Sequence, residues 1–124
     1  MELQLLKSKI HRARITFCHL EYEGSLSLDR DLMDAVGIVP YERLLIVNAT
    51  NGERLETYAI PAERGSGAVG LNGAAARRGQ VGDVVTIMAF VSVPGESARK
   101  MSPQRVLLDE RNAIVKVEHT ATGE

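Results

Sequence analysis

The chain has 124 residues, which suits one domain with a single core, and 44% of its residues are apolar. Fifteen basic against sixteen acidic residues give a formal net charge of -1, so no overall field favours nucleic acid or an anionic membrane. Two Phe, three Tyr and no Trp leave the core to aliphatic side chains.

Two features of the sequence indicate the cellular compartment: the single cysteine and the pattern of residues 1–10. Cys18 is the only cysteine, which precludes an intrachain disulfide and fits a reducing cytoplasm. Residues 1–10 alternate polar and apolar side chains, unlike the unbroken apolar stretch of a signal peptide. No stretch approaches the roughly 20 apolar residues that span a bilayer. We therefore expect a soluble, cytoplasmic protein without membrane contact.

Short apolar runs separated by turn signals cover most of the chain. Their β-branched content and spacing predict strands, and because many short strands need covered edges, we expect a closed or nearly closed β-barrel. No domain boundary interrupts them, so one all-β domain is predicted over residues 1–124. In chain order the runs are 3–10, 13–20, 26–28, 44–48, 55–60, 68–71, 84–93, 106–108 and 113–117.

Three local signals predict helices and a hairpin. Asp29 as an N-cap and Gly37 as a C-terminal stop predict a short helix that ends at residue 36. The pair Asn51-Gly52 predicts a hairpin over residues 44–60, with a type I′ turn in which both residues take positive φ. A second short helix is predicted after Asn72, over residues 73–77.

The common catalytic and metal-binding motifs do not occur in the sequence. It contains no P-loop, dinucleotide fingerprint, nucleophile elbow, HExxH or CxxC motif. His11, His19 and His119 are scattered, and with one cysteine their spacing does not suit convergent metal ligands. We expect no metal, and histidines that lie at the surface or support neighbouring groups.

Five segments gain meaning only when they are taken together. They are KSKIHR at 7–12, YEGS at 22–25, TNGERLETYAI at 50–60, AERGSG at 62–67 and LNGAAA at 71–76. In order and spacing they resemble aspartate 1-decarboxylase, a bacterial family of the pantothenate pathway, from Lys7 to about Arg99. The resemblance implies a six-stranded double-psi β-barrel with short helices. It also implies a homotetramer of processed protomers, with four α chains (25–124) and four β chains (1–24).

The resemblance implies that Ser25 becomes a covalent pyruvoyl cofactor. Gly24 leaves the scissile carbonyl unshielded and allows strained backbone, so the Ser25 hydroxyl can attack that carbonyl. An N-to-O acyl shift, elimination to dehydroalanine and loss of ammonia then leave the pyruvoyl group. Its carbonyl forms a Schiff base with the amine of L-aspartate and accepts electrons as the α-carboxylate leaves, which yields β-alanine and CO2.

Three residues of the 50–60 segment take family roles. Tyr58 corresponds to the proton donor, and a phenol suits this role because it stays protonated at neutral pH. Arg54 corresponds to a residue that pairs bidentately with a substrate carboxylate. Thr57 corresponds to the residue that holds the Gly24 carbonyl oxygen during cleavage and contacts substrate. Strand alternation puts Thr57 on the face opposite Arg54 and Tyr58, so either the strand bends or the site lies between subunits.

Further substrate contacts are implied at the helix start and on the first strand. Small side chains let backbone N–H groups approach an anion at a helix N-terminus. Lys9 and His11 share a strand face and are expected to line the same pocket, Lys9 balancing negative charge and His11 orienting groups. The residues that match the family's substrate-binding segment are Asn72, Gly73, Ala74 and Ala75.

Two departures from the family pattern and three alternatives stay open. The family often has an aromatic residue near the position of Val47, and it often has histidine where this chain has Arg77; we expect Arg77 to face solvent. The first alternative is a self-processed pyruvoyl decarboxylase that acts on another amino acid, such as glutamate or a neutral one. Small swapped β-barrels also bind DNA, although the balanced charge argues against this. Finally, a precursor can fold without maturing.

Overall fold

The structure, a computed structural model, describes residues 1–118, so His119 lies outside the described part of the chain. Strands dominate this part, which confirms the all-β prediction. Each predicted run overlaps a strand, although the run 13–20 is divided between the end of the first strand and the second. The strands are β1 (Glu2–Arg14), β2 (Phe17–His19), β3 (Ser25–Asp29), β4 (Arg43–Asn48), β5 (Arg54–Ala62), β6 (Val69–Asn72), β7 (Val84–Pro94), β8 (Gln104–Leu108) and β9 (Ile114–Glu118).

The strands form one mixed sheet in the order β2-β6-β3-β5-β4-β7-β1-β8-β9. The pairs β1 with β8, β2 with β6 and β3 with β5 are parallel, and the other neighbours are antiparallel. Parallel neighbours require crossover connections, so the chain does not simply meander from strand to strand. Closure of this sheet into a barrel and its double-psi topology remain predictions.

The core is aliphatic, as the composition predicts. On β4, Leu44 and Ile46 are buried while Leu45 and Val47 are half-buried, which is the alternation of a strand with one face on the core. Burying one such aliphatic side chain stabilises the fold by about 1.5–3 kcal/mol. The other large side chains that are fully buried are Ile10, Ile15, Leu26, Leu28, Met33, Leu71, Ile87, Val36, Val69 and Val85.

The predicted helix is confirmed as α1 (Arg30–Val36). The Asp29 carboxylate accepts a hydrogen bond from the N–H of Asp31 at 2.8 Å, and Gly37 ends the helix in the left-handed region with φ 74°. The same carboxylate accepts from the N–H groups of Gly65 and Gly67 at 3.1 and 2.9 Å. Asp29 therefore caps the helix and ties it to the loop after β5.

The predicted hairpin is also confirmed, but the turn prediction is wrong. Strands β4 and β5 are antiparallel, with Val47 opposite Arg54. Gly52 has φ 78°, whereas Asn51 does not take a positive φ. The N–H of Asn48 donates a hydrogen bond to the carbonyl of Glu53 at 2.8 Å, and four residues lie between them. The connection is therefore longer than the two-residue turn that was predicted, and within the Asn51-Gly52 pair only Gly52 takes a positive φ.

Two 3-10 helices, Gly73–Arg78 and Gly95–Lys100, complete the described elements. The first confirms the short helix that was predicted after Asn72. Among residues 1–118, no helix has the length and apolar character needed to cross a membrane.

Candidate active site

Ser25 begins β3 and is buried, with a relative exposure of 2%. Its hydroxyl accepts a hydrogen bond from the Asn72 Nδ2 amide at 3.0 Å and donates to the Glu23 carbonyl at 3.3 Å. Ser25 and Asn72 face each other in the register of β3 and β6. The sheet pairing thus holds the Ser25 hydroxyl beside the peptide bond that joins it to Gly24.

Gly73 lies against the chain that leads into Ser25. It has φ 65°, and a Cβ at this position would lie 2.7 Å from both the N and Cα atoms of Gly24. The same Cβ would lie 2.9 Å from the Tyr22 carbonyl oxygen. Both the backbone angle and the close approach require glycine here. The small residue that was predicted for substrate contact therefore also packs the chain beside Ser25.

One cavity of about 490 Å³ brings most of the predicted site together. Arg54 is exposed there, whereas Thr57 and Tyr58 are half-buried. The lining comprises the predicted residues Gly24, Arg54, Thr57, Tyr58, Ala74 and Ala75, together with Leu55, Glu56 and Arg78.

The open edge of β5 explains how consecutive residues share this cavity. Residues 54–58 of β5 pair with β4 along one edge, whereas pairing with β3 begins only at Ala59, opposite Leu26. The other edge of residues 54–58 therefore borders the cavity, and side chains from both faces can reach it. Thr57 joins Arg54 and Tyr58 within a single chain, although strand alternation predicts opposite faces.

The Tyr58 ring has an aromatic neighbour outside this cavity lining. The ring centroids of Tyr58 and Tyr41 lie 6.2 Å apart, with 31° between the planes. Tyr41 is exposed and takes a φ of 71°, which is uncommon for a bulky residue. This contact limits the directions that the Tyr58 side chain can take.

Lys9 and His11 do line one pocket, but not the cavity of Arg54. Their pocket, of about 150 Å³, lies along β1 and β8. Its other charged lining residues are Arg105, Lys116 and Glu118. Partial burial lowers the pKa of His11, and the charges of Lys9 and Arg12 lower this pKa further. Within one chain, therefore, the structure does not bring Lys9 and His11 to Arg54.

Arg78 is one of three cavity residues, with Leu55 and Glu56, that the sequence reasoning missed. Its Nη1 atom donates to the Glu53 carboxylate at 2.6 Å and to the Arg54 carbonyl at 3.5 Å. Arg77 is exposed, as predicted, and does not belong to the cavity lining. The sequence signal that could have indicated Arg78 is Glu53, the acidic residue directly before Arg54. Glu53 supplies an ion-pair partner for a basic residue at the end of the 3-10 helix.

The remaining candidate groups show ordinary structural roles. No group of three His, Cys, Asp or Glu side chains in the described range 1–118 is arranged to hold a metal ion. The Cys18 thiol contacts the Gly79 carbonyl at 3.5 Å, and burial, with a smaller effect of Asp83, raises its pKa. A raised thiol pKa disfavours the reactive thiolate.

Comparison with known proteins places this chain in a family. Residues 1–115 match the family model described as aspartate decarboxylase, so the likeness extends beyond Arg99, where the sequence resemblance appeared to end. Relatives named aspartate 1-decarboxylase are 54% identical over 114 residues in Hyphomonas neptunium (92% of this chain, 97% of the relative) and 52% identical over 116 residues in Caulobacter vibrioides (94% and 98%).

A relative with the same name in Bacillus licheniformis is 54% identical over 110 residues, which cover 89% of this chain and 87% of the relative. These near full-length matches identify the chain as a decarboxylase. It belongs to the aspartate decarboxylase family, which confirms the resemblance drawn from the five segments. Family membership favours the enzyme over the DNA-binding alternative.

Proposed function

We propose that this chain cuts itself between Gly24 and Ser25 and then decarboxylates L-aspartate at the α-carboxylate, giving β-alanine and CO2 for pantothenate and coenzyme A synthesis. The observation that carries the proposal is one cavity lined by Gly24, Arg54, Thr57 and Tyr58, with Ser25 held beside it by Asn72. The name shared by the relatives, aspartate 1-decarboxylase, supports the substrate.

The residues at the junction fit a pyruvoyl group made from Ser25. Apart from Gly24 itself and its two chain neighbours, no residue has a heavy atom within 4 Å of the position that a Cβ on Gly24 would occupy, so approach to the scissile peptide is open on that side. The Ser25 oxygen attacks the Gly24 carbonyl carbon, the peptide C–N bond breaks, and the nitrogen takes up a proton. In this proposal Thr57, which lines the same cavity as Gly24, stabilises the Gly24 carbonyl oxygen by hydrogen bonding.

Elimination then completes the processing without an external cofactor. Loss of the Ser25 α-proton expels the Gly24 carboxylate and leaves a carbon–carbon double bond at position 25. Water adds to the tautomeric imine, and ammonia leaves. The products are residues 1–24 as a β chain and residues 25–124 as an α chain.

In turnover, the pyruvoyl carbonyl supplies an electron sink for the pair that remains when CO2 leaves. Arg54 binds a substrate carboxylate through its forked N–H groups. Tyr58 delivers a proton to the carbon from which CO2 has left. Ala74 and Ala75 line the cavity without bulky side chains, so substrate can approach the backbone near the start of the 3-10 helix.

We further propose that four processed protomers assemble into a homotetramer in the cytoplasm. Lys9 and His11 line a pocket separate from the Arg54 cavity, so a neighbouring copy is the means by which they can act with Arg54. Exposed apolar side chains on β9, including Val115 and Val117, offer contact surface. The single free cysteine, Cys18, fits a reducing compartment.

The substrate is tested by incubating purified protein with L-aspartate or L-glutamate and measuring the amines that form. We expect β-alanine from aspartate and negligible product from glutamate. The Ser25→Ala variant should remain uncut and inactive. Faster turnover of glutamate would contradict the proposed substrate, and decarboxylation by Ser25→Ala would contradict a cofactor made from Ser25.

A further inference from the structure

We infer that Arg78 is a positioning residue, which joins the end of the 3-10 helix Gly73–Arg78 to the β4–β5 hairpin and so fixes the Arg54 guanidinium for a substrate carboxylate. The inference rests on the proposed function, because it assigns Arg54 to carboxylate binding. It concerns a residue that neither strand alternation nor the family resemblance indicates.

The side chain of Arg78 makes the first attachment to the hairpin. Its Nη1 atom lies 2.6 Å from the Glu53 carboxylate and 3.5 Å from the Arg54 carbonyl oxygen. Glu53 directly precedes Arg54, so both contacts act on the backbone that carries the Arg54 side chain. The ion pair is half-exposed, with side-chain exposures of 52% and 45%, and contributes little to global stability.

The backbone of Arg78 makes the second attachment. Its carbonyl accepts hydrogen bonds from the side-chain amides of Asn48 at 3.3 Å and Asn51 at 3.0 Å. Asn48 is buried, and its amide also donates to Asp83 at 2.9 Å. Because both asparagines belong to the β4–β5 hairpin, the side chain and the main chain of Arg78 are held by the same element.

These attachments connect the two parts of the proposed site. The 3-10 helix follows Asn72, which holds the Ser25 hydroxyl, and it ends at Arg78, which is held beside Arg54. Six residues at about 2 Å rise per residue span roughly 12 Å. The distance from Ser25 to the Arg54 guanidinium therefore depends on where this short helix meets the hairpin.

The geometry favours a role for Arg78 in positioning Arg54 over direct binding of substrate by Arg78. Glu53 balances the charge of Arg78, and the shared Nη1 contact directs the guanidinium toward the hairpin backbone. Arg77, one residue earlier, is exposed and outside the cavity lining, which makes it a matched control. If the link acts as a unit, then removing either Glu53 or Arg78 should have the same effect, and removing both should add little.

The test is calorimetric titration of the purified, fully processed protein with succinate, a dicarboxylate with the carbon backbone of aspartate but no amine. Variants are Glu53→Gln, Arg78→Gln, the double variant, Arg78→Lys and Arg77→Gln. We expect each single neutral variant to raise the succinate Kd about fivefold, which is the scale of contacts that position a neighbouring group. The double variant should match the single variants, Arg78→Lys should recover part of the loss, and Arg77→Gln should bind like wild type.

Three outcomes would overturn the inference. Wild-type binding in both Glu53→Gln and Arg78→Gln would show that the link does not position Arg54. Loss in Arg78→Gln alone, with Glu53→Gln unchanged, would show that Arg78 contacts the dicarboxylate directly. In both of these outcomes, formation of β-alanine from aspartate by the wild-type protein would leave the proposed function intact. A wild-type protein that neither binds succinate nor forms β-alanine would overturn the proposed function together with this inference.

Discussion

The Nδ2 atom of Asn72 lies 3.0 Å from the Ser25 hydroxyl oxygen and 2.8 Å from that of Ser27, so one amide nitrogen holds two hydroxyls of β3. Asn72 is itself buried, with 1% exposure, and β6 keeps it in register with Ser25. The direction of the Ser25 hydroxyl at the junction with Gly24 is therefore set by a side chain of the neighbouring strand.

Asn72→Ala should slow self-cleavage. Losing one hydrogen bond of about 1.4 kcal/mol that orients the attacking hydroxyl corresponds to roughly a tenfold lower rate. The uncut fraction is followed by denaturing gel electrophoresis after expression and warm incubation. Ser27→Ala is the control, because it removes the second partner of Asn72 and leaves the Ser25 contact. Equal cleavage rates in Asn72→Ala and wild type would show that this contact does not orient the nucleophile.

Gly73→Ala should destabilise the fold and slow cleavage, because its Cβ would meet Gly24 at 2.7 Å. Gly65 offers a matched control, since it has a similar φ of 76° and open space around the added Cβ. The positive φ alone costs about 1 kcal/mol, and the contact at Gly73 should add a further loss of about 1–3 kcal/mol. Urea unfolding gives both values, and equal losses at the two glycines would contradict the packing role of Gly73.

Tyr58→Phe should leave cleavage intact and lower turnover. The phenol is assigned to proton delivery after CO2 loss, a role that contributes about a hundredfold or more to rate. Intact mass reports processing, and β-alanine formation reports kcat. Tyr41→Phe is the control, because Tyr41 contacts the Tyr58 ring without belonging to the cavity lining. A Tyr58→Phe enzyme with wild-type kcat would require another proton donor.

Arg54→Ala should raise the KM for aspartate. A charge-assisted hydrogen bond contributes about 1.5–3 kcal/mol, which corresponds to roughly a tenfold to hundredfold loss of affinity. Arg77→Ala removes an exposed guanidinium from outside the cavity lining, so its KM should stay at the wild-type value. Steady-state kinetics on both variants decides the assignment, and similar KM values in the two would contradict it.

The elements that are controlled by local chemistry were predictable from the sequence. Asp29 and Gly37 supply the two ends of α1, and alternating aliphatic residues mark the strands. The Asn51-Gly52 signal gave the hairpin, but not its loop length. That length depends on the side chain of Asn48, which accepts hydrogen bonds from the N–H groups of Thr50 and Asn51 at 2.9 and 3.3 Å.

The site was predictable only where residues are neighbours in sequence or match a family segment. Strand alternation predicted that Thr57 and Tyr58 lie on opposite faces. It does not show that one edge of β5 lacks a neighbouring strand at these residues, which lets side chains from both faces reach the cavity. Arg78 reaches the cavity through contacts with Glu53 and Asn51, which lie more than twenty residues away in the chain. Such contacts depend on tertiary packing, which the spacing of residue types does not report.

The central claim, self-cleavage before Ser25, is tested most directly by the intact mass of the purified protein under denaturing conditions. We predict two species, residues 1–24 and residues 25–124, the larger one lighter by the mass of ammonia than a hydrolytic fragment that begins with serine. A single mass for the uncut 124-residue chain after prolonged warm incubation, or a larger fragment with an ordinary serine at its start, would contradict the claim.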